Sequence, residues 1–376
     1  MAAPRISQRA LNRATLARQG LLRLPDRPPA PADAVTAIGS LQAQHPEWPP
    51  IALWTRTGTA PAAFAAALVD RSLVRAALMR ITVHVVATDH FWPMVTLTQP
   101  LRQAQFRSFF KVDAVDSPIG RRLTATHAAV RAALRDGPLR IRDMDTIMRA
   151  ESKRDADAPN RMHWRHLAAT IPLVHVPFEG EGYGRSRYAA AEEWIGPAPA
   201  DLDETTATRL VTERYLAAFG PASVADVMAY VGRRGAAARW RDALAELGDR
   251  IVTFEAEDGR QLHDLVDAPR PEETVPAPPR LLARWDSLLL SHAPSNRERV
   301  IDERHRSTVY TKNADVLPTV LIDGRVAGTW DREGGTIHLR PFARLAAAVR
   351  RDLERQATEL ASLLAPDDTP RVIVEH

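Results

Sequence analysis

Gly137-Pro138-Leu139-Arg140-Ile141-Arg142-Asp143-Met144 and Gly220-Pro221-Ala222-Ser223-Val224-Ala225-Asp226-Val227 are two passages of one chain that match in their turn chemistry. In each, Gly-Pro breaks the chain ahead of a short helix, and an aspartate followed by an apolar residue recurs at the same distance. A period of about 80 residues argues for tandem copies of one module, although convergent winged helices would give the same pattern.

Working outward from the first turn, the sequence predicts helices over 123–134, 141–148 and 162–169. A hairpin follows, 173–177 with 185–189, around the glycine-rich residues 180–184. Around the second turn it predicts helices over 208–219, 224–230 and 236–247, then a hairpin within 251–266. The same order recurs upstream. Ser7 caps a first helix that carries Leu11, Leu16 and Leu21 inward, and residues 25–31 are a proline-rich connector. A helix leads to Gln42, and helices follow around 51–54 and 60–69. Strands over 73–78 and 81–86 are joined at Met79-Arg80, and residues 89–101 return to helix. Three helices and a hairpin are the winged-helix order.

Residues 267–279 are acidic and proline-rich, a linker. Beyond them, 319–322 and 326–330 flank Asp323-Gly324, a strong hairpin signal. Further strands are expected over 336–339 and 371–374, with a long amphipathic helix over 345–364. The expected class is therefore α+β. It comprises three tandem winged-helix modules, over 1–112, 113–200 and 201–268, and a C-terminal small β-barrel or sheet domain with one helix over 278–376.

Composition narrows the chemistry. With 376 residues, 45% hydrophobic and 26% charged, the chain is a globular protein of more than one domain. It has no cysteine, which removes disulfides, thiolate metal sites and thiol nucleophiles. No apolar run is long enough to span a bilayer, and residues 1–6 lack the core of a secretory signal. A cytoplasmic protein with no membrane partner is expected. Net charge is +4 and the sequence pI about 9.7. Among basic residues only Lys111, Lys153 and Lys312 are lysine, so most cations are planar forks suited to phosphate.

There is no phosphate-binding glycine loop, and no cofactor is expected. His163 and His166 share a helical turn without an acidic partner at zinc-motif spacing. They read as surface residues, and no metal is expected. Glu192-Glu193 diverge on a helix and read as a solvated face. In Trp285-Asp286-Ser287-Leu288-Leu289-Leu290-Ser291-His292, an apolar strand runs into a polar loop, residues 293–299, with two arginines. That loop is either a salt-bridged turn or a phosphate-contacting one.

Leu41-Gln42-Ala43-Gln44-His45-Pro46 is the remaining passage of interest. Val35, Ile38 and Leu41 recur at helical spacing, and Pro46, Pro49 and Pro50 stop the helix. Two neutral amides then sit at a helix break. By spacing alone they are solvated side chains. They could also converge on one small object, each offering one carbonyl acceptor and two N–H donors.

Five passages in order resemble the AlkZ-like family of winged-helix DNA glycosylases: Leu41-Gln42-Ala43-Gln44, Met79-Arg80-Ile81-Thr82-Val83-His84, Phe219 with the Gly220–Asp226 turn, residues 285–299, and residues 320–330. The resemblance implies three tandem winged helices and a C-terminal β-domain arranged around DNA. It implies a catalytic Gln-apolar-Gln motif, here Gln42 and Gln44. A housekeeping branch carries aspartate at the second position, so Gln44 places the chain nearer the branch tied to self-resistance against DNA-alkylating natural products. The family commonly has glycine where Ile81 stands. If that turn needs positive φ, isoleucine strains it.

The implied activity is that of a monofunctional DNA glycosylase removing bulky N7-alkylated purines or crosslinks. The implied partner is double-stranded DNA carrying alkylated purines, met by a monomer. Arg75, Arg80, Thr82, His84, His292, Asn296, Arg297, Arg299 and Arg306 are the expected DNA contacts. Arg80, Thr82 and His84 would lie in the minor groove, as a wing can. The alternative of a different class is a non-catalytic winged-helix DNA-binding protein, a regulator or a lesion-shielding protein.

Overall fold

Three times along the chain a helix runs into a short extended segment, two more helices and a hairpin, and each time the extended segment pairs with the last strand of its own hairpin. The computed structural model describes residues 3–152, 160–177, 186–233, 235, 237–313 and 315–375. The glycine-rich turn expected at 180–184 and the expected helix start at Ala236 lie outside these residues.

In the first unit, helix Pro31–Ile38 leads to strand Leu41–Gln42, helices Trp48–Thr57 and Pro61–Val69, and strands Leu73–Ala77 and Val83–Ala87. Leu41 pairs with Val85 and Gln42 with His84. In the second, helix Ala128–Asp136 precedes Leu139, which bridges Tyr188 in strand Ser186–Ala190. In the third, helix Glu204–Phe219 precedes Ala222, which bridges His263 in strand Gln261–Leu265. The two matched aspartates do the same work. Asp143 Oδ2 accepts the Arg140 N–H at 3.1 Å, and Asp226 Oδ2 accepts the Ser223 N–H at 2.8 Å. Each carboxylate reaches back three residues to satisfy an orphan donor at a helix start.

One expectation is corrected here. The helix before the glutamines does not run to Leu41; it ends at Ile38, with Gly39 at φ 86°. A Cβ on Gly39 would meet the Phe219 ring at 3.0 Å, so glycine also lets the Glu204–Phe219 helix approach. Leu41 and Gln42 are strand. Pro49 and Pro50 do not stop a helix. They lie in the first turn of Trp48–Thr57, where a missing N–H leaves nothing unsatisfied.

The first two hairpins are not separate. Leu73–Ala77 pairs with Leu173–Pro177 through Arg75↔His175 and Ala76↔Val174. The resulting five-stranded sheet begins at Leu41–Gln42 and ends at Ser186–Ala190. The third hairpin, Ile251–Ala256 with Gln261–Leu265, instead gains the N-terminal strand Arg5–Ile6 as a parallel edge. One apolar core joins the three units: Val74 and Val86 pack with Val174, and with Tyr215, Phe219, Val227 and Trp240 of the third. The boundary expected at 112/113 therefore separates segments that share a sheet and a core.

The C-terminal segment is an open five-stranded sheet with helix Ala347–Leu364 against it. The Asp323-Gly324 turn has φ 47° and 77°, as a two-residue hairpin requires. Helix Gln8–Arg18 ties the parts together. Asn12 Nδ2 donates to the Arg299 and Gly324 carbonyls at 2.7 and 2.8 Å. Arg18 grips Asp264 through two bonds of 2.7 Å, both side chains being buried.

Candidate active site

Strand alternation sorts the Gln-Ala-Gln motif. Leu41 and Ala43 point into the core, while Gln42 is half-buried and Gln44 exposed on the other face. The Ala43 N–H donates to the Val83 carbonyl at 2.7 Å, so the motif stays laddered to the hairpin through its middle residue. Gln42 Oε1 accepts the Gln44 N–H at 2.9 Å, and Gln44 Oε1 accepts the Val83 N–H at 3.3 Å. Both amides are thus held on one face beside each other.

Arg75 lies behind them. It is buried, and its Nε and Nη2 donate to the Ala43 carbonyl at 3.3 and 3.1 Å. His84, the cross-strand neighbour of Gln42, is also buried. Its Nδ1 lies 2.8 Å from the Thr82 carbonyl and its Nε2 3.2 Å from Arg80 Nη2. A neutral ring with the proton on Nδ1 satisfies both contacts. Burial, helped by the Arg80 charge, lowers its pKa to about 3. Arg80 Nη1 donates to the Tyr230 carbonyl at 2.6 Å, which ties the hairpin to the third unit.

The hairpin tip is strained. Arg80 and Ile81 both have positive φ, 53° and 58°. A Cβ on Gly232 would stand 2.7 Å from the Arg80 Cα, so the Val224–Val231 helix end closes on the tip. The position where the resembled family commonly has glycine does require left-handed backbone. A β-branched side chain there costs on the order of 1–2 kcal/mol.

The remaining expected DNA contacts divide by burial. Arg75, His84, His292, Asn296 and Arg299 are buried side chains bonded to protein. His292 faces the Phe219 carbonyl through Nε2 at 3.1 Å. Asn296 donates to both carboxylate oxygens of Asp226 at 2.8 Å. Arg299 donates to the Pro221 carbonyl at 3.0 Å. The 293–299 loop is therefore packed against the Gly-Pro turn of the third unit. Thr82 is half-buried and donates to the Met79 carbonyl at 3.2 Å. Arg306 pairs with Glu303 at 2.6 Å. Arg297, stacked 4.7 Å above the Tyr310 ring, lines a groove of about 1260 Å³ with Arg80, Ile81, Gln105, Ser108 and Arg233.

His163 and His166 are not surface residues either. Both are buried, and His166 Nδ1 lies 3.1 Å from His127 Nδ1 while its Nε2 faces the Ala114 carbonyl at 2.7 Å. No group of three or more potential metal-ligating side chains occurs among the described residues.

Burial also lowers the pKa values of His127 and His292 to about 3. A histidine whose folded pKa lies below its unfolded value stabilises the fold fully above about pH 6.5, and that stability drains as pH falls. At pH 5 the fully enclosed His84 and His292 should each cost about 2 kcal/mol. Thermal melts at pH 7.5 and pH 5.0 should show a clear drop at the lower value. Equal melting temperatures would mean that these rings are not kept neutral.

A cavity of about 580 Å³ adjoins the motif. Gln44 and Arg75 contribute to it from the first unit, and Trp164, His175 and Tyr188 from the second. Neither aspartate nor glutamate is among its described lining residues. Nothing local in the sequence points to the second-unit residues, which reach the motif through strand pairing and through packing of helix Asn160–Thr170 on helix Thr88–Phe110.

The model of the family described as DNA glycosylase AlkZ-like matches residues 35–363. The interstrand DNA cross-link repair glycosylase of Streptomyces sahachiroi is 25% identical over 305 residues, covering 78% of this chain and 79% of that protein. The solved structure of Streptomyces sahachiroi DNA glycosylase AlkZ superposes with a TM-score of 0.80 at 20% identity, over 99% of this chain and 100% of that one.

Proposed function

This chain belongs to the AlkZ-like family of DNA glycosylases, a family of DNA N-glycosylases, and on that premise we propose that it hydrolyses the N-glycosidic bond of bulky N7-alkylated purines as a monofunctional enzyme. The relative's name carries interstrand crosslinks, and these fall within the proposed substrate class. Self-resistance to a DNA-alkylating natural product is the proposed setting. The three repeated units are read as winged helices and the C-terminal sheet as the family's β-domain. The supporting pattern is the pairing of each extended segment with the last strand of its own hairpin.

The observation that carries the reading is the pair Gln42 and Gln44: two neutral amides, fixed side by side, next to a cavity lined without a described carboxylate. An N7-alkylguanine is already cationic. As the C1′–N9 bond breaks, its electron pair moves onto the base, which leaves neutral without a general acid. Positive charge grows on the sugar, as in other glycoside cleavages. Water adds to C1′ and releases its proton to solvent. Carbonyl oxygens held in place can orient that water and stabilise the sugar cation as preorganised dipoles. Amides are weak bases, so unmodified nucleotides, which need leaving-group protonation, react slowly.

Duplex DNA carrying a defined N7-alkylguanine tests this directly. The expected outcome is release of the modified base and one abasic site per lesion, detected by mass spectrometry. Tight lesion binding without release would instead favour the shielding protein.

Binding is expected to be electrostatic, through Arg233, Arg297 and their neighbours in the 1260 Å³ groove. With roughly six phosphate contacts, affinity should fall about a thousandfold between 50 and 200 mM salt. A shallow salt slope with preference for one undamaged sequence would indicate a regulator.

A further inference from the structure

Gln44 stands just past the paired residues Leu41 and Gln42, exposed, with its side-chain oxygen on the Val83 N–H at 3.3 Å. A side chain so placed keeps its aim only if the chain beyond it is fixed. The next residue, His45, is also exposed. Its ring lies against the Trp285 ring, with centroids 5.0 Å apart and planes 33° from parallel. At the other end of the motif, Ser287 Oγ donates to the Ser40 carbonyl at 2.6 Å, and the Ser40 hydroxyl lies 2.8 Å from the Tyr230 hydroxyl. Residues 285–287 of the C-terminal segment therefore bracket the stretch 40–45 that contains both glutamines.

The bracket is itself held firmly. The Trp285 N–H donates to the Val316 carbonyl at 3.0 Å. The Arg284 guanidinium sits over the Trp285 ring, 5.4 Å from its centroid, and its Nη2 donates to Asp315 Oδ2 at 2.7 Å. Asp286, the next residue, is buried and bonded to Arg56. Trp285 has a φ of 52°. That region favours glycine, because a Cβ crowds the backbone there. A bulky residue stays in it only where the surroundings over-determine it, and such positions cluster at active sites. Glycine would relieve the strain but would leave His45 without a ring to pack on.

We propose that Trp285 is a positioning residue for base excision: through its contact with His45 it fixes the backbone from which Gln44 projects, and so holds the Gln44 carbonyl on the reacting water and sugar. The inference rests on the glycosylase reading above. It gives the C-terminal segment a part in the chemistry without contact with the reacting atoms. Without the ring contact Gln44 remains in place but is poorly aimed, which lowers the rate of the chemical step and leaves lesion affinity intact.

The test measures single-turnover release of N7-alkylguanine from a duplex, and the Kd for the same duplex, with the full chain. Trp285→Leu keeps apolar bulk without a ring face. It should slow release about ten- to a hundredfold while Kd stays within about twofold. Trp285→Phe keeps a ring and should restore release to within about threefold of wild type. His45→Ala removes an exposed ring, so it should keep the wild-type melting temperature and slow release about as much as Trp285→Leu. The double variant should be no slower than the slower single, since both changes remove one contact. If Trp285→Leu melts well below wild type, His45→Ala decides alone. Wild-type release by His45→Ala, or losses that multiply in the double variant, would overturn the inference. A rise in Kd that matches the fall in rate would make Trp285 a DNA contact and overturn it too. If wild type releases no modified base, the glycosylase reading fails and takes this inference with it.

Discussion

Gln42→Ala and Gln44→Ala are each expected to release N7-alkylguanine about a hundred- to a thousandfold more slowly than the parent chain, a loss of roughly 3–4 kcal/mol in transition-state stabilisation. Neither change is expected to unfold the protein, because Gln44 is exposed and Gln42 is only half-buried. The two losses are not equivalent. Gln42 Oε1 holds the Gln44 backbone N–H at 2.9 Å, so removing Gln42 also frees the segment that aims Gln44. The double variant should therefore lose less than the product of the singles. Gln44→Asp keeps an acceptor oxygen and adds charge, and should retain part of the rate with altered adduct preference. Single-turnover rates measured by base release decide the matter. Wild-type rates from both alanine variants would move the chemistry to other residues.

Asp286→Ala should be the most damaging stability change outside the site. Its carboxylate takes two bonds from Arg56, at 2.9 and 2.6 Å, and also accepts the Leu288 N–H at 2.9 Å. The Arg56 and Asp286 side chains are both 0% exposed. Removing one partner of a buried ion pair leaves the other charge without compensation, and costs about 3–5 kcal/mol. For a protein of this size that is a fall in Tm of about 4–6 °C. Arg297→Ala, in the same C-terminal segment but half-buried along the groove, should shift Tm little and weaken DNA binding instead. A small Tm change for Asp286→Ala would show that the pair is solvated in solution.

What could be read from the sequence is what depends on local chemistry. The Gly-Pro turns and their aspartates announced two helix starts because a cap acts within three residues. Asp323-Gly324 announced a hairpin because its backbone needs positive φ. The glutamine pair was recognisable as a motif, but its setting was not. Val35, Ile38 and Leu41 are spaced as on one helix, yet Gly39 breaks that helix and turns Leu41 into strand.

Burial of the cations was equally hidden. Arg18 and Arg56 find their carboxylates 246 and 230 residues away, and nothing local distinguishes them from arginines on a surface. The packing of His292, Asn296 and Arg299 was hidden for the same reason. Their partners are in the turn of the third unit. The cavity was out of reach because its two sides meet through long-range contacts, the Arg75↔His175 register and the Gln99 bond to the Ala168 carbonyl among them.

That register also bears on how this protein can be taken apart. Expressed alone, residues 1–112 would carry Leu73–Ala77 as a bare edge, with N–H and C=O groups stripped of their neighbour strand. Such an edge recruits other chains, so the fragment should self-associate rather than stand as a small catalytic piece. Exchanging the second unit between relatives would likewise have to preserve the pairing at Arg75 and Ala76. The workable cut for recombination lies after strand Ser186–Ala190, where the shared ladder ends.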